Sequence, residues 1–135
     1  MSVSQLIKVS PLPARRPTWR EAFEWEGIKW FLDCGFGPDG HVREVFLTPR
    51  NTKLALAATM ADACIGISFL LQRGMTVAEY LAKLTKLPPA EQLDGEEPLE
   101  ENAAYSLIGD AMRRALRLEN THRNEALKLY GAAAR

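Results

Sequence analysis

The residues that could do chemistry in this chain are few and widely spaced. Its 135 residues include two histidines, His41 and His122, and two cysteines, Cys34 and Cys64. A nucleophile needs a neighbouring base that a third group orients, and neither histidine lies in a motif of that kind. The sequence also lacks the HxxxH and HExxH spacings of metal-binding helices. We therefore predict no catalytic residue, no metal site and no cofactor, and we favour a protein that is not an enzyme.

Two weaker patterns leave this prediction unchanged. His41 beside Asp39 could transfer a proton or bind a metal, but a histidine in a turn is more often simply exposed to solvent. Glu96 and Glu97 form an acid pair in a segment rich in proline and acidic residues. We expect that segment to be mobile, and a mobile segment gives an acid and a base no rigid frame.

The cysteines indicate a reducing compartment. Cys34 and Cys64 are far apart in the sequence and belong to no CxxC motif or Cys/His cluster, which argues against both a zinc site and a disulfide framework. The N-terminal residues lack the apolar core of a secretory signal. The longest apolar stretch, Leu54–Leu71, is interrupted by Asp62 and rich in small residues, which favours a buried helix over a membrane span. We predict a cytoplasmic protein without a membrane segment.

A second set of residues could bind an anionic, aromatic ligand such as a nucleotide. The formal net charge is zero, from 17 basic and 17 acidic residues, so such binding would need a local patch. Arginines could contact phosphates, and tryptophans on an open sheet face could stack on bases. The candidate nucleotide-binding residues are Arg15, Arg16, Arg20, Trp30, Arg113, Arg114 and Arg117. An aromatic core is the simpler interpretation of the tryptophans.

Period-two alternation predicts three strands that would position these residues. Mostly aromatic positions alternate with polar ones from Trp19 to Trp25, which is typical of a half-buried strand. Glu26 and Gly27 then form a tight turn before a second strand, Ile28–Phe36. The run GFGPDGH predicts another hairpin and a third strand, His41–Thr48. The broken alternation of that strand indicates either a bulge or burial on both faces.

Helical spacing dominates the rest of the chain. Asn51 or Thr52 could cap a long helix rich in small residues, which ends near Arg73 before Gly74. Its core stripe is predicted to be Ala57, Met60, Cys64, Ile67 and Leu71. Small residues on its other faces would let it approach a sheet or a partner helix closely.

Shorter helices follow the long one. Thr76 and Glu79 form a capping box for a helix that should end near Leu87. Asn102 could cap a further helix, and the segment from Arg123 could continue it or form a separate helix.

These elements define the predicted organisation of the chain. We expect an extended arm over residues 1–17, a sheet-and-helix core over 18–87, an acidic linker over 88–101 and a helical segment over 102–135. The fold class is α+β, with a three-stranded antiparallel meander packed against the long helix and further C-terminal helices.

The order of these elements resembles the TSCPD domain family, which is found alone and at the C-terminal end of adenosylcobalamin-dependent ribonucleotide reductases. The resemblance covers Pro17–Leu84 and is carried by RPTWREAFEWEGIKWFLDCGFGPDGHVREVFL followed by ADACIGISFLLQRGMTVAEYLAKL. The Thr-Ser-Cys-Pro-Asp motif that names the family is degenerate here. The nearest segment, AAYSLIGDAMRRALRLE, keeps Ser106 and Asp110 without a cysteine or proline between them.

The resemblance implies an accessory or regulatory module. The radical chemistry of those reductases resides in a large barrel domain that this chain is too short to contain. Our leading hypothesis is a non-catalytic module that binds a protein partner or self-associates through its small-sided helix or its sheet face. The alternative is a nucleotide- or nucleic-acid-binding protein that uses the arginine and tryptophan residues named above. A phage-encoded protein that captures a ligand or inhibits a host protein would be a special case of either.

Overall fold

A computed structural model of the chain describes residues 15–51, 53–86 and 106–133. The elements in these ranges are β1 (Thr18–Trp25), β2 (Ile28–Phe36), β3 (Val42–Pro49), α1 (Ala55–Leu71), α2 (Val77–Lys83) and α3 (Leu107–Ala133). The strands form one antiparallel sheet in the order β1–β2–β3. The predicted α+β fold with a three-stranded meander is therefore confirmed. Most of the predicted arm, the whole predicted linker and the predicted Asn102 cap lie outside the described residues.

The β1–β2 hairpin is set by its two-residue turn. Glu26 and Gly27 have φ angles of 48° and 76°, and left-handed values at both positions are the mark of a type I′ turn. This turn matches the twist of the flanking strands, so pairing is continuous from Trp25 with Ile28 to Thr18 with Gly35. The predicted strands and the predicted turn are confirmed.

A β-bulge interrupts the pairing of β2 with β3. Gly35 pairs with Glu44 but Phe36 pairs with Val42, so Arg43 is the extra residue. The Arg43 guanidinium donates hydrogen bonds of 2.9 Å to the carbonyl oxygens of Leu71 and Met75. The bulge, one of the two predicted alternatives, therefore places a cation against carbonyls at the C-terminal end of α1.

One face of the sheet forms the core together with α1 and α3. The largest fully buried side chains are Trp30, Phe36, Leu32, Ile67, Leu71, Met112, Val42, Val45, Val77, Cys34 and Cys64. Within the predicted stripe of α1, Cys64, Ile67 and Leu71 are buried, whereas Ala57 and Met60 are only partly buried. α3 contacts all three strands, so the sheet is covered by two helices rather than by α1 alone.

α1 also covers the outer edge of β3. Val45 directs its backbone groups away from β2, and the Ser68 hydroxyl accepts a hydrogen bond from Val45 N at 3.0 Å and donates one to Val45 O at 3.2 Å. The buried hydroxyl thus pairs an edge residue that would otherwise be unsatisfied.

The helix ends are partly as predicted. The Thr76–Glu79 capping box is present, and Gly74 has a φ of 108° after α1. The prediction that Asn51 or Thr52 caps α1 is wrong, because the N-cap residue is Leu54, which makes no side-chain cap bond. The Asn51 side chain instead accepts a hydrogen bond from Lys53 N at 3.2 Å, closing a turn before the helix.

The later helices settle two further points. α2 ends at Lys83, earlier than predicted, and α3 is one continuous helix of 27 residues. Ser106 caps α3, because its hydroxyl accepts a hydrogen bond from Gly109 N at 3.0 Å. None of the helices in the described ranges is both long and apolar enough to cross a bilayer.

Gly40 and Gly27 provide a matched test of how closely α3 approaches the β2–β3 hairpin. Both have left-handed φ angles, of 79° and 76°, so replacing either with alanine should cost about 1 to 2 kcal/mol of unfolding free energy. A Cβ at Gly40 would also lie 2.7 Å from Arg123 Cγ and 3.1 Å from Leu127 Cγ, whereas nothing lies within 4 Å at Gly27. In urea unfolding we expect Gly40→Ala to cost at least about 1 kcal/mol more than Gly27→Ala. Equal costs would contradict the close packing.

Candidate functional site

The polar residues of the described chain converge where α3 crosses the sheet. Glu119 is buried, 5% exposed, and its Oε2 accepts a hydrogen bond from Val42 N at 2.8 Å. His41 Nδ1 lies 3.2 Å from Glu119 Oε1. A buried carboxylate needs such partners to offset the loss of hydration, and here it joins α3 to the first residue of β3.

Further contacts extend this junction along α3. The His122 ring stacks on Trp19, with centroids 4.5 Å apart and an interplanar angle of 14°. The Tyr130 hydroxyl donates a 2.5 Å hydrogen bond to the carbonyl oxygen of Phe36, the last residue of β2. The C-terminal half of α3 therefore makes polar and aromatic contacts with the sheet, and most of the apolar core residues of this helix lie in its N-terminal half.

Glu21 on β1 is the centre of a charge network with α3. Arg117 donates to both of its carboxylate oxygens at 2.9 Å, and Arg114 donates to Oε2 at 3.0 Å. Partial burial alone would raise the pKa of Glu21, but these hydrogen bonds and positive charges outweigh it and hold the pKa below its ordinary value. The Arg114 guanidinium also lies 4.5 Å from the centre of the Phe23 ring.

The predicted nucleotide-binding arginines are divided between separate parts of the surface. Arg20 makes a bidentate pair with Asp33, at 2.8 and 3.0 Å, on the side of the sheet away from the helices. Arg16 donates to Glu44 Oε1 at 2.7 Å, and Arg15 is exposed. Arg113 lies 3.5 Å from Asp110 on α3, near the Glu21 network of Arg114 and Arg117. The sheet therefore separates Arg20 from the α3 arginines, so the seven predicted residues do not form one patch.

Trp30 differs from the other candidates because it belongs to the core. Its side chain is 0% exposed, so neither face of the ring is open to a base in this conformation. Its indole Nε1 makes no hydrogen bond within the described residues. The aromatic-core interpretation is the correct one for this residue, because its strand position directs it between the sheet and the helices.

The two thiols are poor nucleophiles where they lie. Cys34 and Cys64 are both buried and free. Burial raises the pKa of the Cys64 thiol to about 11 and raises that of Cys34 further, so both stay protonated at neutral pH. Among the described residues, no group of three or more His, Cys, Asp and Glu side chains is arranged to hold a metal ion.

Two features of the site region were not predicted from the sequence. Glu119 is one of many acidic residues, and its partner Val42 lies 77 positions away, so no local pattern marks it. The outward face of α1 exposes Ile65 by 64% and Phe69 by 48%, although both lie in an apolar run that was interpreted as buried. The apolar residues that flank the predicted stripe are the only signal in the sequence for this exposed apolar face of α1.

Removing the Glu119 carboxylate should weaken the whole α3–sheet junction. We expect Glu119→Ala to lower the free energy of unfolding by about 2 to 3 kcal/mol, because Val42 N would be left buried without an acceptor. Glu119→Gln should lose less, since an amide oxygen can still accept that bond. The control is Glu125→Ala, which removes an exposed carboxylate of the same helix and should change stability by less than about 0.5 kcal/mol. Equal losses for the two alanine variants in chemical denaturation would contradict the role of Glu119.

The nucleotide-binding alternative stays a prediction and can be tested directly. It predicts a heat of binding in calorimetry with a nucleotide panel, with an affinity that falls as salt rises because phosphate contacts release counterions. Arg117→Ala should weaken that binding, because it removes one of the candidate phosphate-contacting arginines. The Arg117 side chain is 63% exposed, so its removal should leave the core intact. The absence of salt-sensitive heat at two salt concentrations would eliminate this alternative.

Comparisons with known proteins give two curated relatives. Vitamin B12-dependent ribonucleotide reductase of Agrobacterium fabrum (strain C58 / ATCC 33970) is 31% identical over 91 residues, which are 66% of this chain and 7% of that enzyme. The enzyme of the same name from Streptomyces clavuligerus is 28% identical over an alignment of 141 positions, which covers 99% of this chain and 14% of that enzyme. No family model matches the chain, and no solved structure matches it. The chain thus shows weak homology to a small part of vitamin B12-dependent ribonucleotide reductases.

Proposed function

We propose that the chain is a non-catalytic accessory module related to ribonucleotide reductases, of the TSCPD type, that acts by binding a protein partner or by self-association. The observation that carries the proposal is the extent of the similarity. It reaches nearly the whole of this chain but only 14% of the Streptomyces clavuligerus enzyme. A segment of that size is one domain. A domain of a large enzyme contacts the other domains through an interface.

The contacts of the polar residues support a non-catalytic role. Glu119 is occupied in joining α3 to β3, and Glu21 is occupied by two arginines. The thiols of Cys34 and Cys64 are buried and protonated. The groups of the described chain best suited to acid, base or nucleophile therefore have structural partners or lie in the core.

The outward face of α1 is the surface that we assign to a protein partner. Ile65 and Phe69 are exposed one helical turn apart, and no atom of the described residues lies within 4 Å of where a Cβ would stand at the neighbouring Gly66. The Arg73 guanidinium lies 3.2 Å from the centre of the Phe69 ring, which adds a cation to the apolar surface. Phenylalanine and arginine are enriched in the cores of protein interfaces. The partner we propose is a ribonucleotide reductase, because the matched segment belongs to one in both relatives.

The partner can be tested with purified proteins. The chain should bind the ribonucleotide reductase of its native cell in biolayer interferometry, and Ile65→Glu should weaken the binding about tenfold or more because it places a charge in an apolar interface. The matched control is Leu129→Glu, which changes another exposed apolar residue, 47% exposed on α3, and should leave the affinity unchanged.

Two results would contradict the proposal. One is the absence of binding to the reductase when the chain is present at about 100 μM. A specific interface of ordinary size would have a dissociation constant below that concentration. The other is an equal loss of affinity for Ile65→Glu and Leu129→Glu, which would show that α1 is not the interface.

A further inference from the structure

The two edges of the sheet differ in how their backbone groups are satisfied. Phe36 N donates to Pro17 O at 2.9 Å, which fixes the alternation of bonded and non-bonded pairs along the β1–β2 ladder. The pairs Trp19–Cys34 and Trp25–Ile28 are consequently bonded pairs. The intervening residues of β1 direct their N–H and C=O groups away from β2, toward the outer edge. These residues are Thr18, Arg20, Ala22 and Glu24, and all four are exposed.

The equivalent edge on β3 is covered. Ser68 of α1 bonds both backbone groups of Val45. At the β1 edge, the outward backbone groups of Arg20, Ala22 and Glu24 meet no partner in the described part of the chain. An exposed edge of this length is a template for another strand.

We propose that this edge pairs with β1 of a second copy of the chain, antiparallel and about a two-fold axis at Ala22. In this register Ala22 lies opposite Ala22 of the second copy, and both residues direct their backbone groups across the interface. Arg20 of each copy then lies opposite Glu24 of the other, and these pairs also use outward-facing backbone groups. The interface therefore contains three consecutive bonded pairs, which together make six backbone hydrogen bonds.

Charge selects this register over its neighbours. A two-fold axis at Arg20 would place Arg20 opposite itself, and an axis at Glu24 would do the same for Glu24. An axis at Glu21 would place the Glu21 carboxylate opposite Glu21 of the second copy. Like charges directly opposite each other destabilise a strand pair, whereas opposite charges stabilise it. Only the axis at Ala22 pairs both charged outward residues with their complements.

The side chains are free to make these pairs. Glu24 forms no ion pair within the described residues, and Arg20 uses its Nε and one terminal nitrogen for Asp33. A guanidinium has five N–H donors, so Arg20 can bind Asp33 and Glu24 of the second copy together. Ala22 at the centre has a small side chain that leaves the two strands free to approach. The product is a continuous six-stranded sheet.

This inference rests on the self-association part of the proposed function and makes its surface specific. In analytical ultracentrifugation, the purified chain should have a molecular mass twice the 15.1 kDa of one chain. Arg20→Glu alone and Glu24→Arg alone each place like charges in both symmetric pairs, and each should weaken dimerisation about tenfold or more. Mixing the two variants restores opposite charges at every pair, so the mixture should form a heterodimer with affinity near that of the unchanged chain.

A second kind of variant tests the interface even if the charge variants misfold. Ala22→Pro removes an outward-facing N–H that β2 does not use, so the sheet should survive while the dimer is lost. Circular dichroism checks the fold of each variant. A monomeric unchanged chain at about 100 μM, a dimer insensitive to the single charge changes, or a mixture that stays monomeric would overturn the inference. Because the reductase is absent from this experiment, failure to dimerise is distinguishable from failure to bind the reductase.

Discussion

The architecture of this chain depends on how the hydrogen-bonding groups at the margins of a three-stranded sheet are satisfied. A meander leaves two edges and several strand ends with unpaired N–H and C=O groups, and burying such groups without partners is costly. Side chains from the helices meet this need at three places. Ser68 bonds the edge residue Val45, Glu119 accepts from Val42 N at the start of β3, and Tyr130 donates to Phe36 O at the end of β2. These contacts fix where α1 and α3 lie.

The same contacts explain why the polar residues offer little chemistry. A carboxylate that accepts a backbone N–H in the core, as Glu119 does, is committed to the fold. Glu21 is committed in a similar way, because its arginine partners lower its pKa and keep it ionised. Our two proposals use two surfaces of the described residues: the outward face of α1, where Ile65 and Phe69 are exposed, and the edge of β1, whose outward backbone groups have no partner among those residues.

The strands could be predicted because their signals are local. Alternation from Trp19 to Trp25 and the Glu26–Gly27 turn specify the hairpin without any distant contact. The capping box of α2 is also contained within four residues, from Thr76 to Glu79. The hairpin and the capping box, whose signals lie in neighbouring residues, were therefore predicted correctly.

Features that depend on distant contacts could not be predicted in the same way. The link between Glu119 and Val42 requires knowing how α3 crosses the sheet. The predicted Asn51 or Thr52 cap was wrong for a local reason, because the Asn51 side chain closes a turn with Lys53 before the helix begins. The exposure of Ile65 depends on α1 lying along a sheet edge, where half of the helix faces outward.

The central claim is that the β3 edge is closed by α1 and the β1 edge is open and available for a second copy. Amide hydrogen exchange followed by NMR at increasing protein concentration tests this most directly, since it reports each backbone N–H separately. Val45 N–H should exchange slowly at every concentration, because Ser68 bonds it within one chain. Ala22 N–H should exchange fast in dilute solution and become protected as concentration rises. Protection of Ala22 that is independent of concentration, or fast exchange at Val45, would contradict the account.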